Sequence, residues 1–242
     1  MTSTRRTSVT VGGLLIVATS AAVAAAAVLP TLSGPGFPTG VAGHPPEMAV
    51  AALLYLVAAG TSVGIAIALY PLLRESDAAL ALGSVVFRAI EAVFYTVGVV
   101  VLLSVLTLGD QFVSASPAGR APIRALADTL LGLREHASLV AVLAFSVGAL
   151  MYYVVFLHTR LVPRWLSVFG IVAVLLVVVA CLLALFSNSD VTGYKVLLAP
   201  IFVQELVMAG WLLAKGFSAT PAQVRAPSER RSGASETTAG RP

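Results

Sequence analysis

The chain has 242 residues, of which 58% are hydrophobic and only 11% charged, and its mean hydropathy is +0.96. A soluble domain carries about a quarter charged residues, so this composition excludes a soluble globular protein and points to the lipid bilayer as the main partner. The net charge of +4 does not imply nucleic acid: basic residues sit at the ends of apolar runs and in the C-terminal tail, without a basic patch interleaved with aromatics.

Arg5 and Arg6 precede Val11 to Leu29, 19 apolar or small residues. The rival reading of this stretch is a signal peptide, but the run is long enough to span, and an uncleaved first helix is expected. Ala18, Ala22 and Ala26, spaced by four, offer a close-packing edge. A Gly/Pro-rich loop from Thr31 to Pro46 lacks Lys and Arg and reads as external. Met48 to Leu73 is the second span, with Gly60, Gly64 and Ala68 as a second small-residue ridge.

The third span, about 83–108, carries Arg88 and Glu91 three apart, hence on one helix face. Ser84, Arg88, Glu91, Tyr95 and Gly98 form a polar or small stripe down an otherwise apolar rod. A charge deep in a bilayer costs roughly 2.5–3.5 kcal/mol on insertion scales, so such charges face a protein interior.

Gly109 to Glu135 reads as the longest loop. Ile123, Leu126, Leu130 and Leu133 recur within it at helical spacing, which suggests a short amphipathic surface helix or an extension of the next span. The fourth span is 137–157, ending in Tyr152-Tyr153. The fifth is 165–186, with Trp165 as an interfacial anchor and Cys181, the only cysteine, as a small buried hydrophobe. The sixth, 196–214, is interrupted by Pro200, Gln204 and Glu205, and Pro200 is expected to break the helix. Residues 218–242, rich in Ser, Ala, Arg, Pro and Thr, read as a disordered tail.

Ten Lys and Arg residues fall on the side of both termini and four on the other. The basic side is cytoplasmic by the positive-inside rule, so both termini are expected inside and the protein in the cytoplasmic membrane. The fold expected is all-α, a bundle of six transmembrane helices.

The Tyr70-Pro71-Leu72-Leu73 end of the second span, Arg88-x-x-Glu91, Leu161-Val162-Pro163-Arg164-Trp165-Leu166, and Glu205 followed by Trp211 to Phe217 come in a distinctive order. Over residues 10 to 217 the chain resembles the bacterial membrane family DUF4386. The resemblance implies a multi-pass membrane fold of unknown function and supplies no catalytic residue.

The candidate site is therefore a buried polar cluster of Arg88, Glu91, Tyr95, Gln204 and Glu205. Glu91 lies eight residues past Gly83, and Glu205 ten before Lys215, or about 12 and 15 Å deep at 1.5 Å per residue. At these similar depths, Arg88 is expected to contact both acids. His44, Glu47, Asp110, Asp128, Glu135 and His136 all fall on the external side, yet none of their spacings matches a metal motif, and no phosphate loop, nucleophile elbow or zinc-protease motif is present. No cofactor, metal or catalytic constellation is expected. Two function classes follow: binding or transport of a small molecule or proton at the buried Arg/Glu cluster, or a noncatalytic structural or regulatory subunit whose charges serve helix packing. A cavity opening onto the stripe favours the first, and a filled bundle with every charge paired favours the second.

Overall fold

The computed structural model describes residues 3–218 except 31, 33, 35–37 and 188. The tail read as disordered therefore lies, beyond Ser218, outside the described residues. Among those described there is no strand. Seven α-helices follow in order: α1 (Ser3–Val28), α2 (Thr39–Ala42), α3 (Pro45–Leu73), α4 (Ala78–Ser114), α5 (Pro117–Thr159), α6 (Arg164–Ser187) and α7 (Lys195–Ala214), with a 3-10 turn (Val191–Gly193) before α7. All but α2 are long and apolar enough to cross a membrane, because each carries a predominantly apolar stretch near the hydrocarbon thickness.

The six long helices form a ring. Each packs mainly against the next in the chain, and α7 closes onto α1. The first turn of α1 consequently lies beside the last turn of α7. There the Arg5 guanidinium donates to the carbonyls of Leu212 (3.2 Å) and Leu213 (2.7 Å). These carbonyls belong to the last turn of α7, where no intrahelical donor remains, and the positive charge suits the negative end of the helix dipole. Phe217 N–H donates to Ser8 Oγ (2.9 Å), and Ser218 N–H to the Leu161 carbonyl (2.9 Å). The strap after α7 thus ties α1 to the α5–α6 turn.

The boundaries differ from those read in the sequence. Asp77 caps α4 by accepting from Leu80 N–H (2.9 Å), so the helix starts at Ala78 rather than near Gly83. The stretch 109–135 is helical rather than a loop, and of the two alternatives for Ile123 to Leu133 the extension of the next span is the one observed. α4 continues to Ser114, and after a two-residue turn α5 begins at Pro117, a favourable first helical position. With 37 and 43 residues, these helices extend about 55 and 64 Å, well beyond a hydrocarbon core of about 30 Å. Their ends project as one hairpin.

A second, smaller core fills the base of that hairpin, where Val41 and Met48 meet Leu102, Val105 and Ala127. On α5 the inward residues are Ile123, Ala127, Leu130 and Leu131, whereas Leu126 and Leu133 are exposed. The expected apolar stripe was therefore rotated from the real one, because Ala127 packs closely and contributes little to a hydropathy pattern. α7 runs unbroken through Pro200, which corrects the expected break. A proline early in a membrane helix sacrifices one intrahelical bond that surrounding groups can replace.

Candidate functional site

Arg88 and Glu91 project from one face of α4, as their spacing requires. The guanidinium is 98% buried. Its Nη1 donates to Glu91 Oε2 (3.1 Å) and Ser62 Oγ (2.9 Å), and its Nη2 donates to the Tyr152 hydroxyl (2.9 Å). Ser62 in turn donates to Glu91 Oε2 (2.6 Å). The guanidinium carbon stands 4.4 Å from the Phe145 ring centre, a cation–π distance. One network thus joins α3, α4 and α5.

Close approach of α4 and α5 makes this reach possible. A Cβ on Gly148 would lie 3.2 Å from Phe87 Cβ and 3.4 Å from Arg88 Cγ. Hydrogen at that position lets the two helices meet beside Arg88 without displacing a neighbour.

Glu205 does not join the network by direct contact, contrary to expectation. Its Oε2 accepts from Thr19 Oγ1 of α1 (2.7 Å), and among the described residues no Lys, Arg or His forms an ion pair with it. The reason is geometric: α7 neighbours α1 and α6 in the ring, so a cavity separates Glu205 from Arg88. This cavity, of about 320 Å³, is lined by Arg88, Glu91, Tyr95, Ser62, Thr19 and Glu205, with Tyr55, Ser138 and Thr192, among mostly apolar side chains. Ala18, Ala22 and Ala26 also line it, so the alanine stripe on α1 makes space rather than a close-packed edge. Of the ridge on α3, Gly60 faces open space, and Gly64 meets only Leu14 of α1.

A second cavity of about 420 Å³ lies toward the hairpin end, where it reaches Leu131, Arg134, Glu135, Asp190 and Lys195. The two cavities share Ala26, Tyr55, Tyr95, Ser138, Val191 and Thr192. Tyr55 and Tyr95 stack at this junction with centroids 6.3 Å apart, and Arg134 sits 5.6 Å from the Tyr55 ring centre.

Gln204 faces elsewhere. It is fully buried, accepts a hydrogen bond from the Tyr153 hydroxyl and donates to the Leu166 carbonyl (3.4 Å). A Cβ on Gly170 would come within 2.5 Å of the Tyr153 ring, so that glycine makes room for the tyrosine between α5 and α6. Gln204 therefore braces the filled part of the bundle and is not in the cavity wall. Sequence reasoning missed Ser62, Thr19 and Tyr152 as partners of the charges. Among the described residues no three His, Cys, Asp or Glu side chains gather as a metal site.

Comparison with curated proteins and with solved structures gives no match. A family model does match residues 10–216, the helical bundle almost end to end. The chain belongs to the family described as Domain of unknown function (DUF4386).

Proposed function

We propose that this multi-pass protein resides in the cell membrane with both termini cytoplasmic, and that it binds a small molecule between Arg88–Glu91 and Glu205. The carrying observation is the 320 Å³ cavity bounded by these charges. Its volume is at the lower end of small-molecule sites, which combine mostly apolar walls with a few placed polar groups. A purely structural role for the charges would be served by closing this space, since empty volume forfeits packing energy.

The adjoining cavity supplies a route. It begins at the hairpin end, the external side by the distribution of Lys and Arg, and passes the Tyr55–Tyr95 pair. The opposite end is filled. The reading is thus of a pocket entered from outside.

The test is to purify the full chain in nanodiscs and identify retained small molecules by mass spectrometry, beside an Ala22→Phe variant that fills the cavity. A compound retained by wild type and lost in the folded variant is expected. Identical profiles for the two proteins would contradict the reading.

A further inference from the structure

We infer that the ligand of this cavity is a small organic cation, a monoamine with an apolar body, whose ammonium pairs with Glu205. The inference rests on the proposed ligand-binding role and specifies its chemistry. It comes from how the three charges are distributed.

Arg88 is already committed. Both terminal nitrogens are bonded to Glu91, Ser62 and Tyr152, and its face is covered by Phe145. Its remaining Nε is buried and has no partner, but is not exposed to an incoming group. Three of the five guanidinium N–H groups are used, and the charge is already paired with Glu91 inside the protein. Glu205 is the opposite case. It is 92% buried and has a single hydrogen bond, from Thr19, to one oxygen. Its other oxygen has no partner among the described residues, and the residue lines the cavity.

A buried carboxylate without a cation is costly, and a ligand bearing the cation would remove that cost on binding. A carboxylate ligand would instead meet two acids and a single guanidinium already paired with one of them. The remaining walls, including Val23, Ile65, Val142 and Phe202, suit an apolar body. The volume admits one small molecule rather than a polyamine chain with several charges.

An alkylammonium can come from a free amine or from an aminophospholipid headgroup, and the experiment separates them. The full chain is placed in nanodiscs of phosphatidylglycerol alone, and binding of phenethylamine, phenethyl alcohol and hydrocinnamate is measured calorimetrically. Phenethylamine should bind about tenfold or more tightly than either analogue, and Glu205→Gln, checked for intact folding by melting, should erase that preference. Repeating the titration with phosphatidylethanolamine in the disc should leave amine affinity unchanged for a free-amine site and weaken it if the headgroup competes. Equal binding of alcohol or carboxylate, displaced by Ala22→Phe, would overturn the cation assignment while leaving the pocket. Binding of none of the three would overturn both.

Discussion

The two ends of the bundle use their polar residues differently. Near the end where α1 begins and α7 finishes, the Arg5 guanidinium is bonded across helices, Tyr153 and Gln204 bond to each other on the side of mid-α7 away from the cavity, and Phe156, Leu166 and Phe217 fill the space below. Tyr55 and Tyr95 toward the hairpin, and Glu205 on the cavity face of mid-α7 beside Gln204, border open volume. A membrane bundle gains no hydrophobic stabilisation from closing its helices together, so packing and hydrogen bonds hold the filled end. The open end must therefore be supported by the filled one, with Arg88 at the boundary, bonded downward to Tyr152 and across to Ser62.

Substitutions should separate these ends. Arg88→Ala should have the largest effect, about 3–5 kcal/mol, because it leaves Glu91 buried without its base. Failure to accumulate, or a far lower melting temperature in detergent, is the expected result. Gly170→Ala comes next, at about 1–3 kcal/mol, since its methyl group would collide with the Tyr153 ring. Chemical denaturation of the purified protein would measure it. Glu205→Gln should cost about 0.6 kcal/mol or less, the average scale of an interhelical hydrogen bond in a membrane protein, because Thr19 can still donate to the amide oxygen. A Glu205→Gln variant as unstable as Arg88→Ala would erase the distinction between the ends.

The sequence made some of this contrast visible. Six apolar runs located the long helices, and Arg88 and Glu91 were marked by their spacing. Their hydroxyl partners were not. Ser62 and Thr19 look, as letters in an apolar run, like Thr61, Thr96 and Ser104, yet those three donate back to their own helices. Back-bonding and cross-helix bonding use the same residue types, so only the packing partner distinguishes them. The placement of Glu205 failed for a related reason. Depth along a helix can be counted from sequence, but position around a ring cannot, so equal depth was taken for contact. The alanine stripe on α1 was ambiguous too, since small residues admit either a neighbouring backbone or a void. The hairpin was half visible: the spacing of Ile123, Leu126, Leu130 and Leu133 allowed an extension of the span that became α5, but nothing marked α4 as running on to Ser114.

If the pocket is entered from the hairpin side, the cavity admits water-borne molecules while the filled end excludes them. Cysteine accessibility in sealed vesicles of known orientation tests it most directly. In a Cys181→Ser background, which removes the only native thiol, Ala22→Cys places a thiol in the cavity wall and Ala173→Cys one in the filled core. A membrane-impermeant cationic thiosulfonate should modify Ala22→Cys from the hairpin side only, and should leave Ala173→Cys unmodified from either side. Modification of Ala22→Cys from the side of the termini, or equal resistance of both positions, would rule out entry from the hairpin side.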